Sequence, residues 1–233
     1  MMIGKGVDDI NIRVPEDAHE IGSYVPTFNI YLTAIVRDSE GNIIKVHRQR
    51  SHSPTVNFIG LFMPLSYFNT NNASFTITNT TGGTCSYQPG LGSNKQDIAY
   101  PNTQNNHNTY IVMIQVGSGQ QSNPYTAIAL AAPIANGSGA GQLIYQSVTI
   151  SSNITLNGDT AYFYITQTYN NMSGGAITIT EVGIILELQI VNYINTSSTN
   201  CGNILIWYDV LSSSISVPNG GSVTIYYTFT VNP

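Results

Sequence analysis

The sequence predicts an all-β protein, a jelly-roll-like β-sandwich of about ten strands with one short helix. Ile and Val together occupy 44 of the 233 positions, whereas Leu and Ala occupy 23. β-branched side chains favour strands, and Leu and Ala favour helices. Several segments also alternate between apolar and polar residues, with turn clusters rich in Gly, Asn and Pro between them. A mostly helical protein is therefore excluded.

Residues 1–25 differ from the rest of the chain. They show no apolar period and carry five of the twelve acidic residues. Such a segment has too little apolar surface to dock on a core by itself. We therefore expect an extended N-terminal arm that is ordered by a neighbouring molecule, followed by a single β-sandwich domain over residues 26–233.

A hairpin is predicted directly after the arm. Residues 27–37 alternate strictly between apolar and polar side chains, and residues 43–49 resume the alternation. Residues 38–42, Asp-Ser-Glu-Gly-Asn, are typical turn residues. The pattern indicates two antiparallel strands joined by this turn.

One helix is predicted, over residues 54–63. Ser53 followed by Pro54 is a helix-start signal, with Ser53 as the N-cap and Pro54 in the first turn. Apolar residues then recur at helical spacing, which predicts that Val56 and Ile59 belong to the buried face.

Beyond the helix the sequence predicts strands and one long irregular segment. A short strand near residues 75–77 precedes the irregular segment, residues 81–108, which is rich in Gly, Asn, Gln and Pro. The remaining predicted strands cover residues 110–116, 125–131, 143–150, 161–169, 176–191, 204–210 and 223–231.

The strand over residues 176–191 changes its apolar phase. Apolar residues stand at odd positions at Ile177 and Ile179 but at even positions from Ile184 to Ile190. Gly183 lies where the phase changes, so we predict a β-bulge or bend at Gly183.

The charge is low and unevenly placed. Charged residues make up 8% of the chain, against roughly 25% in an average soluble domain, and Asn, Ser and Thr fill 71 positions. All seven Lys and Arg lie at or before Lys95. Because a phosphate backbone is bound by cations, we expect no nucleic-acid interface in residues 96–233. No stretch reaches the ~20 apolar residues that span a bilayer, so no transmembrane segment is expected.

The carboxylates of the second half offer one candidate catalytic pair, of the kind that glycosidases use: Asp159, Glu181, Glu187 and Asp209. Simpler roles fit better, because Asp159 lies in a predicted turn, and Glu181 and Glu187 fall at outward-facing positions of one strand. The four His are scattered singly, and the Gly-Ser-Gly loops lack the Lys of a P-loop. We therefore expect no enzyme activity, no metal and no cofactor.

Cys85 and Cys201 are the only cysteines. A disulfide between them would close a long loop and, in the chain-entropy description, stabilise the fold by ~4–5 kcal/mol. Two unpaired, half-buried thiols are an equally good interpretation of the sequence.

Six sequons are candidate N-glycosylation sites: Asn72, Asn79, Asn136, Asn153, Asn171 and Asn195. A chain rich in Asn, Ser and Thr produces sequons by chance, which is the simpler interpretation of any single one. Together with the low charge they indicate an extracellular surface, although residues 1–20 hold no apolar region typical of a secretory signal. A protein that leaves the cell by assembly and lysis or by budding, and not by secretion, would agree with both observations.

One basic cluster stands between the predicted hairpin and the helix. It contains His47, Arg48, Arg50 and His52, and it could face a genome or an anionic membrane. Such a cluster is more commonly a solvent-exposed charged segment without a specific partner.

The order of segments resembles a known group of proteins. The segments are VRDSEGNIIKVHRQRSHSPTVNFIGLF, YIVMIQVGSG, YTAIALAAPIANGSGAGQLIYQSVTI, YFYITQTYNNMSGGAITITEVGIILEL and WYDVLSSSISVPNGGSVTIYYTFTV. Over residues 27–231 the chain resembles β-rich virion structural proteins of viruses that infect thermophilic archaea, with similar proteins in some tailed phages. The resemblance implies a β-sandwich component of a capsid shell, vertex, turret or tail, and it brings no catalytic residues.

The expected function is therefore that of a non-enzymatic virion structural protein, located in the virion and bound to copies of itself and to other virion proteins. A charge-poor, Tyr-rich surface agrees, because it costs little free energy to desolvate against a neighbour. The alternative is a receptor- or carbohydrate-binding module of a virion spike or cell surface, with host surface glycans as partners. Tyr stacks on sugars and Asn forms hydrogen bonds with them, so the composition suits both functions.

Overall fold

A computed structural model gives the structure of residues 27–51, 53–62, 75–87, 96–99, 112–151, 153–192 and 197–232. The predicted arm, residues 1–25, lies outside these residues, as do His52, Asn72 and Asn195. The helix is α1 (Val56–Phe62), and Pro124–Thr126 forms a 3-10 turn. The strands are β1 (Thr27–Arg37), β2 (Ile43–Ser51), β3 (Phe75–Thr78), β4 (Thr84–Tyr87), β5 (Gln96–Ala99), β6 (Val112–Gly117), β7 (Ile144–Tyr145), β8 (Thr149–Ile150), β9 (Thr155–Asn157), β10 (Thr160–Asn170), β11 (Ile177–Asn192), β12 (Ser197–Val217) and β13 (Ser222–Asn232).

The strands form two antiparallel sheets and a separate hairpin. Sheet A has the order β2-β1-β13-β10, and the short strands β7, β8 and β9 all pair with the other side of β10. Sheet B has the order β12-β11, with β5 and β6 both on the far side of β11. Among the described strands, β3 and β4 pair with each other alone.

The two sheets pack face to face over one main core. Alternate residues of β1, β10 and β13 in sheet A meet residues of β6, β11 and β12 in sheet B. Leu32, Ala34 and Val36 of β1, for example, are fully buried, while the residues between them are half-exposed. The predicted all-β sandwich is confirmed, and the strict alternation of apolar residues is its cause.

The last four strands form a two-stranded ribbon that is folded over. β11 pairs with β12 in sheet B, and β10 pairs with β13 in sheet A. The chain therefore crosses from one sheet to the other twice at the same end, between β10 and β11 and between β12 and β13. This arrangement is typical of jelly-roll sandwiches.

Asn171 holds the corner where the ribbon folds. Its backbone N–H donates to Gly221 O at 2.9 Å, and its carbonyl accepts from Gly220 N at 2.7 Å. Its side-chain Nδ2 donates to Val217 O and to Gly175 O, both at 2.8 Å. The residue is fully buried, so one asparagine fastens both crossing segments.

The helix differs from its prediction in start and in orientation. Thr55 N donates to Ile206 O at 3.0 Å, and Ser53 O accepts from Tyr208 N at 3.0 Å, so the chain before α1 is extended along β12. Ser53 is therefore not the N-cap. Val56 and Ile59 are half-exposed, whereas Asn57 is buried, because Asn57 Nδ2 donates to Thr78 O at 2.9 Å and its Oδ1 accepts from Thr78 N at 3.1 Å.

Three predicted segments also need correction. The expected irregular segment, residues 81–108, contains β4 and β5. Residues 125–131 are not a strand, because they belong to a loop that packs on sheet B. Residues 143–150 form two strands of two residues each, β7 and β8, rather than one continuous strand.

The irregularities of β11 lie on both sides of Gly183 and not at Gly183 itself. Gly183 pairs regularly with Tyr208 on one side and with Gln115 on the other. The register shifts between Ile179 and Glu181, where Ile179 pairs with Ile215 but Glu181 pairs with Val210. A second register shift lies between Ile184 and Ile185, directly after Gly183. The core-facing residues of β11 change from odd positions, Ile177 and Ile179, to even positions, Val182 and Ile184, across the first shift.

Candidate functional site

Glu181 is a buried carboxylate on the outer side of sheet B. The residue is fully inaccessible, because the loop at Ala131 and Ala132 covers this outer side. The prediction of an outward-facing position did not foresee this burial. Glu181 Oε1 accepts from Ala132 N at 2.7 Å and Gly119 N at 3.1 Å, and its Oε2 accepts from Ala131 N at 2.9 Å and Tyr208 Oη at 2.6 Å. Four donors saturate the carboxylate, so Glu181 anchors the loop that follows β6 and has no lone pair left for a substrate.

Asp209 is a second buried carboxylate, between the two sheets. Its Oδ2 accepts from Ser51 Oγ at 2.5 Å and from Tyr227 Oη at 2.9 Å, and Trp207 Nε1 donates to Ser51 Oγ. Burial, together with the charge of Asp209, raises the pKa of Tyr227 well above its ordinary value. The cluster joins β2 and β13 of sheet A to β12 of sheet B through hydrogen bonds.

The two buried carboxylates cannot act as one catalytic pair. Val182 pairs with Asp209 and contributes to the core between the sheets, whereas the neighbouring Glu181 faces the loop on the other side of β11. Asp159 lies in the exposed turn between β9 and β10. Across the residues that the structure describes, no three His, Cys, Asp or Glu side chains come close enough to hold a metal ion.

The predicted basic cluster is divided by the alternation of β2. His47 faces inward and is 7% exposed, while Arg48 and Arg50 are exposed on the other side of the strand. The Arg48 guanidinium carbon lies 4.7 Å from the ring centroid of Tyr31, a cation–π contact. The cluster is therefore not one continuous basic surface.

The inward side chains of β2 close one edge of the sandwich. Lys45 Nζ donates to Ser214 O at 2.8 Å, and Gln49 Nε2 donates to Val210 O at 3.0 Å. Gln49 Oε1 accepts from Ser212 N at 2.9 Å. These bonds satisfy backbone groups in and directly before residues 211–214 of β12, which do not pair with β11.

His47 lies between a serine and a glutamine in an order that resembles a nucleophile, base and orienting residue. Its Nδ1 is 3.2 Å from Ser213 Oγ, and its Nε2 is 2.9 Å from Gln49 Oε1. The orienting residue here is an uncharged amide that already holds two backbone groups of β12. The arrangement serves to close the edge of the sandwich.

Cys85 and Cys201 form a disulfide that attaches the β3–β4 hairpin to β12. Their Cα atoms are 5.7 Å apart, and the two residues are 116 positions apart in the chain. Cys201 is buried beside Ile77 and Leu188 in a small second core. Of the two interpretations left open by the sequence, the structure has the disulfide.

The described sequons differ in their environment. Asn136 and Asn153 are exposed. Asn79 is half-buried; its Nδ2 donates to Cys201 O at 3.1 Å and its Oδ1 accepts from Gly83 N at 2.8 Å. Asn171 uses its Nδ2 for two hydrogen bonds inside the corner, so it is a structural residue and not a glycan acceptor in the folded chain.

A cleft opens at the opposite edge of the sandwich, where β6 lies beside β7 and β10. Its volume is about 430 Å³, within the range of about 300–1,000 Å³ that is common for small-molecule sites. None of the described residues that line it carries a charge: Met113, Gln115, Pro133, Ile134, Ala135, Asn136, Tyr145, Gln146 and Gln167.

Sheet A side chains hold the wall of this cleft in place. Gln167 Oε1 accepts from Ile114 N at 2.8 Å, and its Nε2 donates to Gln146 O at 2.8 Å. Tyr145 Oη donates to Ile134 O at 2.7 Å, and burial raises the pKa of Tyr145 to about 12. These hydrogen bonds give the cleft a fixed, uncharged wall.

The sequence analysis did not identify this cleft. Its glutamines come from three different segments, and no spacing in the chain relates them. One signal was present: Gln167 stands at an inward position of β10, between Ile165 and Tyr169, and a polar residue at such a position needs a specific partner.

None of the helices within the described ranges has the length and apolar character needed to cross a membrane. No protein-family model matches the chain, and comparison with curated proteins and with solved structures finds no match either.

Proposed function

We propose that the chain is a non-enzymatic structural protein of a virion, a capsid, vertex, turret or tail component that assembles with copies of itself. The proposal combines the resemblance of residues 27–231 to virion proteins with one structural observation. Large apolar side chains are exposed at both edges of sheet A.

The first edge is β2, the outermost strand of sheet A. Ile43, Ile44 and Val46 are 54%, 53% and 59% exposed there. A nine-residue edge strand with apolar side chains is a ready surface for pairing with another chain.

The second edge is formed by β8 and β9, which pair with the far side of β10. Ile150, Ile154 and Leu156 are 47%, 68% and 75% exposed. Soluble monomers rarely expose several large apolar residues together at low charge, because such patches associate.

The two edges lie on opposite sides of one sheet and differ in sequence. A contact between β2 of one copy and β8–β9 of the next is heterologous, so each copy binds two neighbours and the contact repeats into a ring or an open array. Repetition of this kind is what a shell, turret or tail component requires.

Sedimentation velocity of recombinant variants tests the assembly. Val46→Lys alters the first edge and Leu156→Lys the second, and Gln120→Lys places the same charge on an exposed loop as the control. We expect wild type and the control to assemble at micromolar concentration. Each edge variant alone should be monomeric, and an equimolar mixture should form a one-to-one heterodimer through the two intact edges.

Other outcomes contradict this arrangement. If Leu156→Lys alone still forms dimers, the contact joins β2 to β2 and is not heterologous. A monodisperse wild-type monomer would remove the support for assembly altogether. The virion location is tested by quantitative mass spectrometry of purified particles and of cell-envelope fractions, because only a virion component is enriched in intact particles.

A further inference from the structure

We propose that the cleft between β6, β7 and β10 binds a neutral saccharide. This inference goes beyond the structural role proposed above and does not depend on it. It rests on unused amide groups, on the absence of charge in the described lining and on an apolar floor.

Three amide side chains around the cleft have unused hydrogen-bonding capacity. The side chains of Gln115 and Gln146 make no hydrogen bond with any other residue that the structure describes, although both line the cleft. Asn136 Oδ1 accepts from Tyr145 N at 3.0 Å, and the Asn136 NH₂ group has no partner among the described residues. Each primary amide presents donors beside an acceptor, and two adjacent sugar hydroxyls offer the complementary pattern.

The remaining lining is suited to the C–H face of a sugar ring. Met113, Pro133 and Ile134 supply apolar surface to the lining. Convergent polar groups around an apolar floor are the usual composition of a small-molecule site. The volume of about 430 Å³ limits the bound part of the ligand to a short saccharide.

The charge of the site excludes ionic ligands. No cation lines the described cleft to neutralise a phosphate, sulfate or carboxylate, and no carboxylate is present to bind an amine. The pKa of Tyr145, raised to about 12 by burial, keeps its hydroxyl neutral at physiological pH. Desolvating a charged sugar here would therefore cost free energy without compensation.

The wall of the cleft is preorganised. Gln167 is 4% exposed and is fixed by hydrogen bonds to the backbone of Ile114 and Gln146, and the Tyr145 ring packs edge-on against Tyr169 at 4.7 Å between centroids. A rigid wall reduces the entropy that is lost on binding.

Saturation-transfer NMR with the full recombinant chain tests the proposal. The neutral probes are methyl glycosides of glucose, galactose, mannose and N-acetylglucosamine, together with lactose, and the charged probes are N-acetylneuraminic acid and glucosamine. The method works for a monomer and for a large assembly, so failure of the assembly proposal would leave this test intact.

We expect at least one neutral probe to bind and both charged probes to bind more weakly. Gln115→Ala and Gln146→Ala should each lower the affinity about tenfold, the effect of one or two lost hydrogen bonds. Gln120→Ala removes an exposed glutamine outside the cleft and should leave the affinity unchanged. Near-ultraviolet circular dichroism establishes that each variant is folded.

The proposal is overturned if no neutral probe binds, if the charged probes bind as tightly as the neutral ones, or if both cleft variants retain wild-type affinity. Should one cleft variant fail to fold, the other decides, because Gln115 belongs to β6 of sheet B and Gln146 to the segment between β7 and β8.

Discussion

At the scale of single residues, Gly183 occupies a crowded position of the β11 backbone. A Cβ atom at this position would lie 2.6 Å from Leu205 Cδ1, 3.0 Å from Trp207 O and 3.1 Å from Leu130 Cδ2. The first of these contacts is far shorter than carbon–carbon packing allows. Glycine is thus required by the close approach of the 117–135 loop and β12, and not by a bulge.

Gly183→Ala should therefore destabilise the protein. Overpacking of a buried position typically costs about 1–3 kcal/mol, and we expect a loss of that size in urea unfolding. Gly175→Ala is the matched control, since a Cβ at Gly175 meets no atom within 4 Å. A Gly183→Ala variant that unfolds at the same urea concentration as wild type would show that the neighbours move aside freely.

Single residues also show which burial can be predicted from the sequence and which cannot. The burial of Leu32 and Val36 follows from alternation, because one face of β1 must meet the core. The burial of Glu181 does not follow from alternation. Two of its hydrogen-bond donors are backbone N–H groups of a loop about 50 residues earlier in the chain. Only the folded loop places these donors together.

At the scale of elements, the strands with unbroken alternation could be predicted closely. β1, β10 and β13 occur at their predicted positions within one or two residues. β12 extends over 21 residues where the sequence indicated seven, residues 204–210. On its C-terminal side the serines at 212–214 interrupt the apolar pattern. Side chains of β2 satisfy the backbone there, so a tertiary contact maintains a strand that local pattern could not predict.

The β3–β4 hairpin is held by a covalent bond, by burial of Ile77 in the second core and by a few polar contacts. It pairs with no other strand of the described chain, and the Cys85–Cys201 disulfide attaches it to β12. Asn79 adds a hydrogen bond to Cys201 O, and Thr80 N donates to Asn203 O at 2.8 Å.

Removing the disulfide should lower the free energy of unfolding. The double variant Cys85→Ala/Cys201→Ala is expected to lose about 2–4 kcal/mol, because the bond restricts the unfolded chain between residues 116 positions apart. Urea unfolding with and without dithiothreitol measures the effect: the reductant should destabilise wild type by a similar amount and leave the variant unaffected. Equal stability of oxidised wild type and the variant would mean that strain offsets the crosslink.

At the scale of the whole molecule, side chains of one sheet form hydrogen bonds with backbone groups or carboxylates of the other. Tyr169 Oη donates to Ile114 O at 2.6 Å at one edge, and Tyr227 Oη donates to Asp209 in the interior. At the other edge, Lys45 and Gln49 of sheet A donate hydrogen bonds to backbone carbonyl groups of β12. The sandwich is thus held mainly by neutral hydroxyl and amide donors, with Lys45 as a charged donor, as well as by apolar burial.

This dependence on neutral tyrosines predicts loss of stability at alkaline pH. Burial raises the pKa of Tyr145 from 10.0 to about 12 and raises the pKa of Tyr169 and of Tyr227 well above 10.0. The unfolded chain therefore releases these protons at lower pH than the folded one. The stabilisation is complete below pH 10 and is lost as the pH rises through the folded-state values.

Urea unfolding at a series of pH values tests the direction of this pH dependence of stability. The buried tyrosines should change the free energy of unfolding little between neutral pH and about pH 9. Above pH 10 we expect this free energy to fall steeply. Tyr145→Phe loses the hydrogen bond to Ile134 O, so it should be less stable at neutral pH but show a shallower alkaline decline than wild type. Near-ultraviolet absorbance should show the buried tyrosinates forming only as the protein unfolds. Their formation in the folded protein near pH 10, with no loss of stability, would contradict the role given to these hydroxyls.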